Sequence, residues 1–206
     1  MTRLIMVRHG ETGWNVEKRF QGQSDIELSL NGMEQARLAA RRLAGKKIDA
    51  AYSSDLCRCA ETARIILDGR NVELVLRPDL REMNFGDWEG LDFNQINALS
   101  PGILQRMRTD LRSFSAPGGE SWTDVNNRVG GFLDEALVTH PDNSILVVAH
   151  VNPLRALFSK LLRAENDGLF QLRLHNCSIS IFEASEKGTR TVALNDSCHL
   201  EEMWPW

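Results

Sequence analysis

The sequence predicts an α/β fold of three layers, with a mainly parallel central sheet and helices on both of its faces. Three observations predict it. Strand-like and helix-like patterns alternate along the chain, as they do where parallel strands are joined by helical crossovers. The run Ile145-Leu146-Val147-Val148-Ala149 is apolar throughout, which suits a strand covered on both faces. No Pro/Gly-rich linker, repeat or low-complexity tract divides the 206 residues, so residues 1–206 are expected to form one domain.

The elements follow in order. Thr2 to Val7 is a short β-compatible run that ends at Arg8-His9-Gly10, read as a strand running into a loop. Asn31 to Ala44 places Met33, Ala36, Ala40 and Leu43 at helical spacing with Gly45 as a stop. Asp49 to Ser53 reads as a strand. Ser54 or Asp55 then caps a helix to about Leu67, with Ala60, Ala63, Ile66 and Leu67 on its apolar side. Val72 to Leu76 is a further strand. Ser121 to Thr139 repeats Trp122, Val125, Val129, Phe132, Leu133 and Ala136 at helical spacing. Ser144 to Ala149 is the apolar strand, and Asn152-Pro153 opens a helix to about Leu162, with Pro in the first turn, where it is tolerated. Cys177 to Glu183 and Thr191 to Leu194 close the set.

Composition excludes several classes. An apolar fraction of 42% is near the globular norm and argues against disorder. The longest aliphatic stretch, residues 145–149, is far short of the roughly 20 residues that span a bilayer. Arg8 and His9 arrive before a signal-peptide core could form, so the cytoplasm is the expected location. With 24 basic against 28 acidic residues and a net charge of −4, no basic excess points to nucleic acid or a membrane surface. Any bound anion must instead be met by a local Arg or His cluster. Cys57, Cys59, Cys177 and Cys198 have neither CxxC nor disulfide-framework spacing and read as reduced fillers.

In open α/β sheets, ligands bind beyond the carboxyl ends of the strands. Arg8-His9 follows the first strand and His150 follows the Ile145–Ala149 strand. Arg58 lies early in the helix after the Asp49–Ser53 strand, and Glu82 lies a short loop after the Val72–Leu76 strand. Separate segments thus deliver two arginines, two histidines and a glutamate to one edge. Glu11 and Glu89 are nearby competitors for the acid's place. His140 reads as a helix-end surface residue. His175 and His199 have no metal-ligand spacing with the cysteines, and neither a metal nor an organic cofactor is expected.

These residues sit in motifs that resemble the histidine phosphatase superfamily, which includes the cofactor-dependent phosphoglycerate mutases. Arg8-His9-Gly10-Glu11-Thr12 with Asn15, Arg19-Phe20-Gln21-Gly22, Ser53-Ser54-Asp55-Leu56-Cys57-Arg58, Glu82 through Gly90, Gly118-Gly119-Glu120-Ser121 and Val148-Ala149-His150 carry the resemblance. It implies a phosphoglycerate mutase-like fold and a nucleophilic His9 that forms a phosphohistidine. Arg8, Arg58 and His150 would clamp the phosphate oxygens, and Asn15, Gln21 and Gly22 would add neutral donors. Glu82 would protonate the leaving alkoxide and then activate water. Val151 and Asn152 would line the phosphate pocket, although Val151 stands where relatives carry a Gly.

The resemblance further implies that mutases carry a longer insertion between Glu89 and Gly118. Only 28 residues separate the two here, giving a helical lid of about 91–117 with Arg106, Arg108 and Arg112. A short lid leaves the phosphohistidine open to water, so the expected activity is hydrolysis of a small phosphate ester. The Glu82–Glu89 segment is similar to α-ribazole-phosphate and broad-specificity phosphatases. The region after His150 is similar to phosphoserine phosphatases, although Phe85 stands where those place a substrate-binding His. A mutase, a phosphoserine phosphatase or a weakly active phospho-ligand-binding regulator are the alternatives. Phe85, Trp88 and Phe93 divide between core and pocket. The aromatic tail 203–206 has three readings: a cover for the site, a homodimer contact or a surface segment.

Overall fold

The computed structural model describes every residue except 104, 106–108, 110–113, 165–168, 170 and 204–206. The expected lid arginines Arg106, Arg108 and Arg112, and the tail residues Trp204, Pro205 and Trp206, lie outside the described residues.

Six strands form one sheet: β1 (Thr2–Arg8), β2 (Ala50–Ser53), β3 (Leu74–Leu76), β4 (Ser144–Ala149), β5 (Ile179–Ser185) and β6 (Gly188–Asp196). Their order across the sheet is β3-β2-β4-β1-β5-β6. The pairs β3–β2, β2–β4 and β4–β1 are parallel, whereas β1–β5 and β5–β6 are antiparallel. The sheet is therefore mixed: a parallel half carries the expected crossovers, and a hairpin closes the other edge.

Among the described residues, the α-helices are α1 (Gly13–Val16), α2 (Leu30–Leu43), α3 (Cys57–Leu67), α4 (Phe93–Leu99), α5 (Trp122–Thr139) and α6 (Val151–Leu162). Alternation along β1 explains the three layers. Leu4 and Met6 face one side with Val125, Val129 and Phe132 of α5 and Leu154, Leu157 and Phe158 of α6. Ile5 and Val7 face the other with Ala36, Ala39 and Leu43 of α2 and Ala63 and Ile66 of α3. Ile145 and Val147 against Leu146 and Val148 repeat this two-sided burial on β4, which is why its sequence is apolar without alternation.

Several boundaries differ from the sequence reading, each for a local reason. The α2 helix starts one residue earlier because Ser29 caps it, its Oγ accepting from the Gly32 N–H at 3.0 Å. Its buried face holds Gly32, Gln35, Ala36, Ala39 and Leu43, one position off the expected stripe at Met33 and Ala40. Neither Ser54 nor Asp55 is the N-cap of α3; Leu56 is, with no side-chain cap bond. Ser54 turns its hydroxyl to His150, and Asp55 pairs with Arg81. The strand expected from Cys177 begins at Ile179 because Cys177 adopts φ 55°. Its N–H goes to the Arg8 carbonyl at 2.9 Å, and a residue in that left-handed region cannot continue a strand. The α5 helix opens on a Ser121–Asp124 capping box, and α6 opens on His150.

Candidate active site

Topology brings the site together. β4 lies between β1 and β2, and Arg8 pairs with Ala149 while Ser53 pairs with Val148. The chain therefore leaves three neighbouring strands at one level, at His9, Ser54 and His150. The His9 N–H donates to the Ala149 carbonyl at 3.0 Å, and the Ser54 N–H to the Val148 carbonyl at 3.0 Å.

The His9 loop is fixed from behind. The Gly10 N–H donates to Thr62 Oγ1 at 3.0 Å, and the Glu11 N–H to Gln35 Oε1 at 2.9 Å. Asn176 donates to the His9 carbonyl at 3.0 Å. Gly10 and Gly32 approach so closely that a Cβ on Gly10 would lie 2.4 Å from the Gly32 carbonyl oxygen. Glu11 accepts from Ser29 Oγ at 3.0 Å and lines no part of the cavity, in keeping with a supporting role.

His9 Nδ1 is 2.7 Å from the Gly10 carbonyl. A carbonyl only accepts, so Nδ1 carries the hydrogen and Nε2 keeps its lone pair. Burial holds His9 well below the ordinary imidazole range, and the Arg58 and Arg8 charges push the same way. The ring is therefore neutral at physiological pH, as a nitrogen nucleophile must be.

Arg58 is completely buried. It donates from its two terminal nitrogens to the Ser24 and Gly22 carbonyls, each at 2.7 Å, and from Nε to His150 Nδ1 at 3.3 Å. Because Nε–H can only donate, His150 Nδ1 accepts, and the neutral ring carries its hydrogen on Nε2, 3.0 Å from Ser54 Oγ. Burial and the Arg58 charge, in that order, hold His150 well below the usual range. Its ring lies 5.1 Å from that of His9, yet it does not line the cavity. His150 backs Arg58 and His9, a placement different from the direct phosphate contact implied by resemblance.

Arg8 donates to the Leu174 carbonyl at 2.6 Å, and its buried Nε has no acceptor among the described residues. Burial pulls its pKa down to about 10, partly offset by Glu82, so it remains cationic. Asn15 Oδ1 accepts from the Thr12 N–H at 3.0 Å and from Asn176 at 3.2 Å, which leaves Nδ2 available to a ligand. Gly22 adopts φ +54° with Glu89 directly against it. Gln21 Oε1 is buried without a partner among the described residues; turning the amide over would present a donor instead.

Glu82 Oε1 accepts from the Met83 N–H at 2.8 Å and from the Asn152 N–H, in the first turn of α6, at 3.2 Å. Val151, the first residue of α6, lines the cavity in a conformation that tolerates a side chain; it is not among the residues with positive φ. Glu89 lies outside the cavity lining. It accepts instead from the Gln23 and Ser24 N–H groups, each at 2.8 Å, from Ser24 Oγ at 2.6 Å and from the Phe85 N–H at 3.2 Å.

The resulting cavity measures about 370 Å³, within the range of small-ligand sites. Arg8, His9, Asn15, Gln21, Gly22, Arg58, Glu82, Val151 and Asn152 all line it. Phe85, Trp88 and Phe93 line it as well and also form an aromatic cluster on Phe20, with ring centroids at 5.0, 6.0 and 4.9 Å. The sequence reading missed Trp14, Phe114, Glu120 and Arg155 as lining residues. Arg155 had a detectable signal: it lies one helical turn beyond Val151 on the helix that follows His150. Among the described residues, no cluster of three His, Cys, Asp or Glu side chains could hold a metal ion, and no helix is long and apolar enough to cross a membrane.

Residues 4–197 match the family described as the histidine phosphatase superfamily, branch 1. "Phosphoserine phosphatase 1" of Hydrogenobacter thermophilus is 34% identical over 204 residues, covering 99% of this chain and 97% of the relative. "Probable phosphoglycerate mutase GpmB" of Yersinia pestis is 34% identical over 206 residues, covering 98% and 96%. Among solved structures, Bacillus stearothermophilus YhfR superposes with a TM-score of 0.90 at 29% identity, covering 98% of this chain and 100% of that one. The α-ribazole phosphatase of Shigella flexneri does so with a TM-score of 0.87 at 27% identity, covering 94% and 96%.

Proposed function

Because this chain belongs to branch 1 of the histidine phosphatase superfamily and is a phosphoric monoester hydrolase, we propose that it works without a metal and through a phosphohistidine. The observation that carries this reading is the His9 hydrogen bond to the Gly10 carbonyl at 2.7 Å. It leaves Nε2 as the nucleophile in a cavity shared with Arg8, Arg58 and Glu82.

In this mechanism His9 Nε2 attacks phosphorus as the P–O bond to the alcohol breaks. Arg8 and Arg58 hold the non-bridging oxygens and stabilise the charge they gain. His150 orients Arg58 and backs His9. Asn15, Gln21 and the Gly22 N–H supply neutral donors. Glu82 gives its proton to the departing alkoxide, then takes one from the water that attacks the phosphohistidine, releasing orthophosphate and neutral His9. Two N–H groups hold the Glu82 carboxyl at the cavity wall, and Val151 and Asn152 form the adjoining wall.

For the substrate, the aromatic wall supports a phosphate ester with an apolar or ring-bearing body. We read this as α-ribazole 5'-phosphate or a broad range of such esters. Phe85 in that wall disfavours compact, polar phosphoserine. Phe93, Phe114 and Ala116 reach the cavity from residues 91–117, which supports a lid within a single domain of 1–206. Cytoplasmic location remains part of this reading.

The test is a rapidly quenched reaction analysed by mass spectrometry over a panel of phosphomonoesters. We expect phosphate on His9, one free phosphate per alcohol released, and no labelling of His9→Ala. Labelling of His9→Ala, or transfer of the phosphoryl group to a second acceptor in place of release, would overturn the proposal.

A further inference from the structure

Arg128, in the second turn of α5, is outside the cavity lining. All five of its N–H groups are nevertheless engaged, three of them with the backbone of the segment that carries the acid and two with Glu120. One terminal nitrogen donates to the carbonyls of Asp79 at 2.9 Å and Arg81 at 2.7 Å. The other donates to the Glu82 carbonyl at 3.0 Å and to Glu120 Oε2 at 2.9 Å, while Nε reaches Glu120 Oε1 at 2.9 Å. Glu120 in turn accepts from the Asn84 N–H at 2.8 Å and donates its own N–H to the Asn84 carbonyl at 2.9 Å. One guanidinium and its carboxylate partner therefore grip the backbone immediately before, at and after Glu82.

This grip has a chemical meaning beyond packing. The segment from Arg81 to Phe85 has no regular secondary structure, so no helix or strand ladder fixes the direction of the Glu82 side chain. Its carbonyls must find donors, and a planar five-donor fork satisfies those of Arg81 and Glu82, with that of Asp79 just before them, while two further donors hold Glu120, five bonds where an ammonium has three donors. Gln23, from the loop that carries the phosphate-site glycine, adds only a long bond to the Glu82 carbonyl at 3.3 Å.

We propose that Arg128 is a positioning residue for the general acid, holding residues 79–84 so that the Glu82 carboxyl group meets the leaving oxygen. The inference rests on the assignment of Glu82 as the acid, and the experiment separates the two. Benzyl phosphate and 4-nitrophenyl phosphate present similar rings, but only the benzyl alkoxide needs protonation as it leaves. The ratio of their kcat/KM values isolates the acid's contribution, because kcat/KM covers steps only up to alcohol release and excludes hydrolysis of the phosphoenzyme. General acids contribute about 10²–10⁴ in rate. We expect Arg128→Met to lower kcat/KM for benzyl phosphate at least about tenfold more than for 4-nitrophenyl phosphate, with Arg128→Lys in between.

Equal losses on both esters, or no loss on either, would show a merely structural role and overturn the proposal. If Arg128→Met does not fold, the ratio in Arg128→Lys decides: a shift towards the nitrophenyl ester supports the proposal, and an unchanged ratio overturns it. Glu82→Gln is measured in parallel. If it leaves the ratio unchanged, the acid assignment itself falls and takes this inference with it. If it shifts the ratio while the Arg128 variants do not, only the positioning role is lost.

Discussion

Glu89 offers a quantitative test of how the phosphate site is supported. Its carboxylate accepts three backbone N–H bonds, from Gln23, Ser24 and Phe85, and one from the Ser24 hydroxyl. The conservative change Glu89→Gln keeps the shape and replaces one oxygen by NH₂. If the amide oxygen stays with Gln23 and Phe85, the NH₂ can still serve the Ser24 hydroxyl but faces the Ser24 N–H, donor to donor. The opposite orientation orphans two backbone donors, so the first is preferred. One unsatisfied backbone donor costs about 1–3 kcal/mol. The two remaining backbone bonds weaken from charge-assisted to neutral, roughly halving each. Partial exposure returns some of this to water, leaving about 2–3 kcal/mol. For a domain of this length that lowers the melting temperature by about 5–10 °C.

The same loop carries the Gly22 and Ser24 carbonyls that hold Arg58. A loosened loop misplaces the guanidinium, and kcat/KM for 4-nitrophenyl phosphate is expected to fall about 10–100-fold. Calorimetry and steady-state kinetics on the one variant read both numbers. A melting temperature within 1 °C or so of the parent would refute the hydrogen-bond accounting. A large thermal loss with unchanged kcat/KM would refute the link from Glu89 to Arg58.

Three further outcomes follow from the same geometry. His9 and His150 are held neutral below the ordinary imidazole range, so below about pH 6.5 the unfolded chain binds protons that the native state does not. Stability is therefore full above that pH and is lost as pH falls, by about 2–3 kcal/mol for the two rings at pH 5.5; a melting temperature that is flat between pH 7.5 and 5.5 would contradict their burial in neutral form. Ser54→Ala removes the oxygen partner of His150 Nε2, leaving Cys59 Sγ at 3.3 Å, and should lower kcat/KM about tenfold while moving the His150 ring ¹⁵N resonances; unmoved resonances would count against the assigned contact. Gly10→Ala drives a Cβ towards the Gly32 carbonyl and should destabilise by about 3 kcal/mol, and a variant as heat-resistant as the parent would mean that the two loops do not approach as described.

The sequence made some features plain and hid others for physical reasons. Ser144–Ala149 was legible to the residue because a strand covered on both faces has no polar position to blur its ends. His9, Arg58 and Glu82 were legible because each sits at a fixed offset from a strand end. The α3 cap was misread because the Ser54 oxygen, the atom with which a cap accepts, takes the hydrogen bond of His150 Nε2 from a residue 96 positions away in sequence. Arg128 looks like an ordinary surface charge in the chain, and Glu89 looks like a second candidate for the acid. Their partners are backbone groups 46–49 and 65–66 residues away, apart from Glu120 and Phe85, and no local pattern encodes such pairings. The antiparallel half of the sheet also lacks a one-dimensional signature beyond two closing strands with no helix between them.

The strand that leads into His9 has a hydrogen-bonded neighbour on each side, β4 and β5, and its residues Leu4 to Val7 are sealed from water. Amides in the middle of this strand are expected to exchange only through large openings of the sheet, because both of its edges are paired. The nucleophile thus follows a strand whose amides are expected to exchange among the slowest, and breathing of the edge strands β3 and β6, neither of which pairs with β1, leaves its aim undisturbed.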